Sequence, residues 1–115
     1  MTLSKDRGDS NKRLWMRLCV ELGAAPITEA YIQATDTDFI EGFCETRTGS
    51  ITIAPHTNVV NTLIHELLHR MYPTRSEKSI RRSTTLLMQT LTDQEIKWFY
   101  DEYQVRKKLG KPTKL

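Results

Sequence analysis

The chain has 115 residues, which is enough for one small hydrophobic core and too few for two independent ones. Hydrophobic residues make up 38% and charged residues of both signs 27%, so the composition excludes a disordered polyelectrolyte and fits a folded protein with a modest core. The net charge of +3 is compatible with nucleic-acid binding, but it is equally common on surfaces that bind none. We therefore predict one domain over residues 1–115, with flexible tails at 1–10 and 106–115.

An amphipathic helix is the first predicted element, and Asp9, Ser10 or Asn11 provides its N-cap. Its apolar residues recur at three- and four-residue spacing and are Leu14, Trp15, Leu18, Cys19 and Leu22. Gly23 follows at a position where glycine commonly ends a helix.

From Thr28 the pattern changes to an alternation of apolar and polar residues, which is typical of half-buried strands. Three strands are predicted, over residues 28–34, 39–46 and 51–54, and polar turn residues separate them. Because the connections are short, we expect a three-stranded antiparallel sheet.

Helical spacing returns after the third strand and predicts three more helices. The first is apolar around more than half of its surface from Val60 to Met71 and stops before Pro73. The second starts at Ser76, and the third opens with a capping box at 92–95. The apolar face of the second comprises Ile80, Thr84, Leu87 and Leu91. The predicted fold class is α+β, with an N-terminal helix, the sheet, a central helix and two C-terminal helices.

The central helix contains the sequence His65-Glu66-Leu67-Leu68-His69. Histidines four residues apart lie on one face of a helix, so both imidazoles can reach one metal ion, and the intervening Glu66 can activate a water molecule. A lone buried histidine is more often a hydrogen-bonded core residue than a ligand. Here, however, two histidines and a glutamate lie on one apolar helix, and burying all three without a metal would cost several kcal/mol. The motif therefore predicts a Zn2+ site with His65 and His69 as ligands and Glu66 as the catalytic base.

A catalytic zinc site normally has three protein ligands, so the motif needs one more. No histidine follows His69, and the nearest acid is Glu77, eight residues further along the chain. A continuous helix would place Glu77 about 12 Å away along its axis, but Pro73 breaks the helix and lets the chain turn back. We predict Glu77 as the third ligand, although a glutamate at a helix start also complements the helix dipole. The alternatives for this ligand are Asp93, Glu95 and Glu102.

Three other polar residues are candidates for supporting roles. Tyr72 lies three residues beyond His69 and is a candidate catalytic residue that stabilises the oxyanion, while packing at the helix end is its alternative role. Asn61 is either a hydrogen-bond acceptor behind a zinc ligand or a solvent-facing helix residue. His56 either faces the mouth of the site or is a solvated loop residue.

The motif, followed by a glutamate early in the next helix, resembles a small gluzincin of the kind found in the ImmA/IrrE and phage-type metallopeptidase families. Glu77-Lys78-Ser79-Ile80-Arg81 lacks the Glu-x-x-Ala-Asn pattern usual in ImmA/IrrE relatives, and the chain has no room for their separate DNA-binding domain. SprT-like metallopeptidases are a rival, but they usually take a third histidine as ligand. The resemblance implies a zincin-like core and a bacterial or phage zinc metalloendopeptidase.

The resemblance also implies how the reaction proceeds. Zinc would lower the pKa of a water molecule, and Glu66 would take its proton during attack on a peptide carbonyl and pass it to the leaving amine. Zincins bind a peptide substrate along the strand before the active helix, which here is predicted at Ser50–Ala54.

The rival interpretation is a basic interaction domain, either zinc-stabilised and inactive or metal-free, that binds nucleic acid or a protein. It rests on a run of basic residues without an acid at the C-terminus and on Arg81-Arg82, but no nucleic-acid motif accompanies them. The C-terminal run comprises Arg106, Lys107, Lys108, Lys111 and Lys114.

A cytoplasmic protein without membrane contact is predicted from what the sequence lacks. No stretch approaches the roughly 18 apolar residues that span a bilayer, and no apolar signal-peptide region is present. Cys19 and Cys44 are fewer cysteines than a disulfide-stapled secreted domain carries, so we expect both as thiols.

Overall fold

The computed structural model describes residues 9–33, 39–56 and 58–114 and confirms the α+β class. These ranges contain four helices, which are α1 (Asp9–Ala24), α2 (Val59–Met71), α3 (Glu77–Thr90) and α4 (Asp93–Arg106). They also contain seven short strands, which are β1 (Ile27–Glu29), β2 (Ile32–Gln33), β3 (Phe39–Ile40), β4 (Gly42–Glu45), β5 (Ser50–Ile53), β6 (Lys108–Leu109) and β7 (Thr113–Lys114). The predicted turn at 35–38 and the first eight residues lie outside the described part of the chain.

Helix α2 is the centre of the hydrophobic core, as its apolar surface predicted. It packs against α1, α3, α4, β4 and β5, and its six predicted apolar residues are all buried. The predicted face of α3 is buried as well, from Ile80 to Leu91. On α1, Trp15 packs edge-on against Phe99 of α4, with ring centroids 5.0 Å apart. One apolar cluster therefore joins all four helices to the sheet.

Helices α3 and α4 begin at their predicted caps, whereas α1 does not. Ser76 caps α3, because its hydroxyl accepts a hydrogen bond from the Ser79 amide at 3.1 Å. The predicted capping box of α4 is confirmed, since the Thr92 hydroxyl accepts a bond from the Glu95 amide at 3.1 Å and the Glu95 carboxylate accepts one from the Thr92 amide at 2.9 Å. Helix α1 already includes Asp9, Ser10 and Asn11, so all three predicted caps lie inside the helix.

The predicted three-stranded antiparallel sheet is not formed as one sheet, because its strands are divided between two sheets that also contain parallel pairs. Two antiparallel pairs follow the predicted order, β2 with β3 and β4 with β5, and the turn between β4 and β5 contains Gly49 at φ +76°. Strand β1 pairs parallel with β5, so the larger sheet has the order β4-β5-β1-β6. The remaining strands form a second sheet of order β3-β2-β7.

The reason for this difference is that both of the first two predicted strands break. The first breaks after Glu29. The Ala30 amide makes the last bond to the larger sheet, to the Ile53 carbonyl, and the chain then continues into β2 of the other sheet. The second breaks at Glu41, between β3 in one sheet and β4 in the other. The alternating pattern identified the buried Ala30 and Ile32, but a period of two does not specify which strand is the neighbour.

The C-terminal residues 108–114 pair with strands, whereas the sequence predicted a flexible tail. Strand β6 runs parallel to β1, and β7 runs parallel to β2. The anchor is Glu29, whose Oε2 accepts hydrogen bonds from Lys107 Nζ at 2.8 Å and from the Tyr103 hydroxyl at 2.7 Å. The basic C-terminal run has no acid of its own, but its ionic partner lies 78 residues earlier in the chain.

Replacing Glu29 with Gln is expected to lower the free energy of unfolding by about 2 kcal/mol at neutral pH, because Lys107 would keep a buried charge without an ionised partner. Burial alone would raise the pKa of Glu29, but the bonds from Lys107 and Tyr103 hold it below its ordinary value. The stabilisation is therefore present above the pKa of a glutamate in the unfolded chain, and it is lost as the pH falls through the lower folded-state pKa. Urea unfolding of both proteins at neutral and acidic pH measures it.

The matched control is Asp101→Asn, which removes an exposed ion pair with Lys97 on α4. Such pairs contribute about 0.5 kcal/mol or less, so this variant should unfold like the wild type. At acidic pH the wild-type Glu29 is protonated and resembles Gln, so the difference between wild type and Glu29→Gln should shrink. A difference that stays constant with pH would show that the charge of Glu29 does not stabilise the fold.

Both cysteines are free thiols, as predicted. Burial raises the pKa of Cys19 and of Cys44 to about 11, so both thiols stay protonated at neutral pH. Among the described residues, no helix has the length and apolar composition needed to cross a membrane.

Candidate metal centre

His65 and His69 lie one turn apart on α2, and their Nε2 atoms are in contact. The two Nε2 atoms are 3.2 Å apart, and the rings are inclined at 70°. Two imidazole N–H groups cannot point at each other over this distance, so at least one Nε2 presents a lone pair. The spacing predicted from the sequence therefore places two potential ligand atoms side by side.

Glu77 joins these histidines from the first turn of α3. Its Oε1 lies 2.8 Å from His65 Nε2, and its Oε2 lies 2.6 Å from His69 Nε2. The chain reverses after α2 because Pro73 ends the helix, and the Arg75 amide bonds to the Tyr72 carbonyl at 3.1 Å to close the turn. The predicted turn thus brings the carboxylate to the histidines.

These three side chains have the donor types and the spacing that zinc requires. Their ligand atoms lie within 4.8 Å of one another, and no other such cluster occurs in the described residues. Ligand atoms of a tetrahedral zinc site lie about 3.3 Å apart, given bonds near 2.0–2.1 Å. The two imidazole nitrogens already have this separation, and the two contacts to Glu77 would lengthen by roughly half an ångström. The residues therefore fit a zinc ion.

The charge states of the cluster also suit a metal ion. Burial lowers the pKa of the His65 imidazole and outweighs the opposing charge of Glu77. Burial would raise the pKa of Glu77, but His65 and His69 outweigh it and hold this pKa below its ordinary value. At neutral pH the site therefore favours a neutral imidazole beside an ionised carboxylate, the forms that bind metals.

Glu66, the fourth residue of the predicted site, is only 6% exposed. Burial, reinforced by the negative charge of Glu77, raises the pKa of Glu66 to about 7. A carboxyl group with a pKa near neutrality can both accept and release a proton at physiological pH, which is the property required of a general base.

A cavity of about 490 Å3 lies beside the cluster and is large enough for a few residues of a peptide. Its walls come from the β3–β4 segment, from α2 and from α3. The residues that line it include Glu41, Gly42, Asn61, Thr62, His65, Glu66, Glu77, Arg81, Thr84 and Thr85.

At Gly42 the backbone of strand β4 lies unusually close to Thr62 of α2 and in van der Waals range of the predicted base. A Cβ atom added to Gly42 would lie 2.7 Å from Thr62 Cγ2 and 3.4 Å from Glu66 Cγ, so only glycine fits without displacement. Strand β4 is also the edge of its sheet among the described strands. The prediction that Ser50–Ala54 is the substrate-binding edge is therefore wrong, because β5 lies between β4 and β1.

The structure does not bring Tyr72 to this cavity. Tyr72 lies at the C-terminal end of α2, where its ring centre is 6.0 Å from the Arg17 guanidinium carbon and 5.2 Å from that of Arg75. It thus packs at the helix end, between two cations.

The alternative third ligands lie elsewhere. Glu95 is 1% exposed and is held by its capping box. Glu102 pairs with Arg106 at 3.0 Å, and Asp93 lines a different cavity near the start of α4. None of the three belongs to the cluster with the two histidines.

Of the two remaining candidates, Asn61 and His56, one lines the cavity. Asn61 lines the cavity and is exposed. His56 lies outside it and accepts a bond from the Asn58 amide through Nδ1 at 3.1 Å, and because its side chain is only 17% exposed, it is not the solvated loop residue of the alternative prediction. Sequence reasoning missed Glu41, Thr62 and the cavity position of Arg81. Spacing on α3 could have indicated Arg81, which follows Glu77 by one helical turn.

Two of the C-terminal cations are engaged within the protein. Arg106 pairs with Glu102 at 3.0 Å, and the Lys107 ammonium group binds Glu29. Lys108 and Lys111 are exposed, as is Arg82 on α3. The basic residues of the rival interpretation therefore lie on different elements, and some already have partners.

Comparisons of the chain with models of protein families, with curated proteins and with solved structures found no match. The functional argument therefore depends on the residues of the site.

Proposed function

We propose that the protein is a zinc-dependent metalloendopeptidase with a zincin-like core. In this proposal His65, His69 and Glu77 hold the metal ion, and Glu66 is the catalytic base. The observation that carries it is the convergence of two Nε2 atoms and one carboxylate within 4.8 Å, beside a cavity that Glu66 also lines. The resemblance of the motif to gluzincins supports the same assignment of roles.

The proposed reaction is the hydrolysis of a peptide bond. Zinc, when bound, supplies a Lewis acid that lowers the pKa of water towards neutrality. Glu66 takes one proton from the attacking water as its oxygen bonds to the peptide carbonyl carbon. Glu66 then gives this proton to the amide nitrogen as the C–N bond breaks, which leaves a carboxylic acid and an amine.

The edge of β4 is the proposed docking place for the substrate backbone. An extended peptide that pairs with β4 lies in the cavity wall next to Glu66, and its main-chain hydrogen bonds require no particular sequence. Gly42 supports this role, because the lack of a side chain keeps the strand close to the base.

Metal content and proteolysis of tag-free protein test the proposal together. We expect about one zinc ion per chain and zinc-dependent cleavage of fluorescent casein. His65→Ala should lose both properties, since two ligands hold zinc poorly. His56→Ala is the matched control, because His56 lies outside the cluster, and it should keep both.

Two outcomes would contradict the proposal in different ways. A wild-type protein without zinc after reconstitution would overturn the metal site. A protein that binds zinc through His65 but cleaves neither casein nor peptides would be a zinc-stabilised module without catalytic activity.

A further inference from the structure

Helix α3 places one positively charged side chain, Arg81, on the wall of the cavity, one turn beyond the carboxylate of Glu77. Arg81 follows Glu77 by one helical turn and lines the cavity with Thr84 and Thr85 of the next turn. Its side chain is 72% exposed. Histidines apart, Arg81 is the one cationic residue among those that line this cavity.

The guanidinium group of Arg81 has donors available for a ligand. Among the described residues its one ionic partner is Glu77, at a distance of 3.5 Å between Nη2 and Oε1. Charge-assisted hydrogen bonds are shorter, at about 2.7–2.9 Å. A guanidinium carries five N–H groups, so the contact with Glu77 leaves most of them unused.

Another part of the cavity wall carries an acidic side chain. Glu41, between β3 and β4, lines it with a side chain that is 67% exposed. Glu41 Oε2 accepts a long bond of 3.4 Å from the Thr62 hydroxyl, and among the described residues it has no ion pair with a lysine or an arginine. An acidic group that enters the cavity is therefore attracted towards Arg81 and repelled from Glu41.

From this charge separation we infer that the site selects peptides with an acidic side chain next to the scissile bond, and that Arg81 binds this side chain. The inference rests on the proposed peptidase function and names the substrate class of that site. Arg81 acts as a specificity-determining residue, because a carboxylate matches the fork of a guanidinium and an ammonium group does not.

Quenched fluorescent octapeptides test the inference. The peptides are identical except for Asp, Ala or Lys placed in turn at each of the three positions on either side of the central bond. At one position at least, the wild type should cleave the Asp peptide roughly 5- to 10-fold more efficiently than the Lys peptide, as measured by kcat/KM. This preference should weaken at high salt.

Three variants separate the role of Arg81 from general effects of charge. Arg81→Gln should lose the preference for Asp, and Arg81→Glu should reverse it in favour of Lys. Arg82→Glu makes the same change of charge at an exposed neighbour outside the cavity, and it should cleave with the wild-type preference. Zinc content of each variant shows whether the metal site is intact.

A binding measurement gives the same information without turnover. The Glu66→Gln variant should bind the fluorescein-labelled Asp peptide several-fold more tightly than the Lys peptide by anisotropy, and adding Arg81→Gln should abolish the difference. Cleavage by the wild type without a preference for Asp would overturn this inference alone. A wild type that neither binds zinc nor cleaves any peptide would overturn the proposed function, and the inference with it.

Discussion

Replacing Glu66 with Gln is expected to reduce kcat/KM for peptide hydrolysis by roughly 100- to 10,000-fold, because the amide cannot accept the proton of the attacking water. Zinc content should stay near that of the wild type, since Glu66 is not among the three ligand atoms. The substitution keeps the shape of a side chain that is 6% exposed, so the fold should persist. Peptide cleavage assays and metal analysis of the same preparations measure both quantities.

Glu102→Gln is the matched control for this variant. It makes the same chemical change on α4, at a carboxylate that pairs with Arg106 outside the cavity, and should hydrolyse peptides like the wild type. A Glu66→Gln protein that retains zinc and full activity would exclude Glu66 as the base. If zinc and activity were both lost, Glu66 would be needed to form the metal site.

The residues of the candidate metal centre could be identified from the sequence because their arrangement is local. Two histidines four residues apart share a helix face whatever the rest of the fold. Glu77 required one further step, the break at Pro73, and the structure places its carboxylate 2.6 Å from His69. Hydrophobic spacing and capping residues are local signals too, and they predicted α2, α3 and α4 near their observed limits.

The parallel strand pairs could not be identified from the sequence because they depend on contacts between distant residues. Strand β1 could pair with any of several alternating segments, and its actual neighbours are β5 and β6. The bond between Lys107 and Glu29 spans 78 residues, so the composition of the C-terminal run does not reveal it. The sequence also does not reveal that Glu41 lines the cavity, because Glu41 lies where the chain passes from β3 in one sheet to β4 in the other.

Zinc should stabilise the fold as well as serve catalysis, because its ligands come from two helices. His65 and His69 lie on α2 and Glu77 on α3, so a bound ion cross-links the turn at Pro73. At a free zinc concentration 1,000-fold above Kd, binding to the folded state alone adds about 4 kcal/mol. For a domain of this size, that corresponds to a Tm difference of roughly 15–20 °C.

Removal of zinc with EDTA is therefore expected to lower Tm by this amount, and returning zinc should restore it. Circular dichroism melts of the untreated, chelated and reconstituted protein measure the change. The helix content before melting shows whether the metal-free protein still folds. In small domains whose metal ligands come from separate elements, free energy of binding becomes free energy of folding.

His69→Ala provides the control for effects of EDTA unrelated to the site. This variant should melt near the Tm of the chelated wild type, and EDTA should not change its Tm, because it has no zinc to lose. His56→Ala should respond to EDTA like the wild type, since its histidine lies outside the cluster. An unchanged Tm after complete zinc removal from the wild type would show that the ion does not cross-link α2 and α3. In that case the contacts of Glu77 with His65 and His69 would be sufficient to hold the two helices together without the metal.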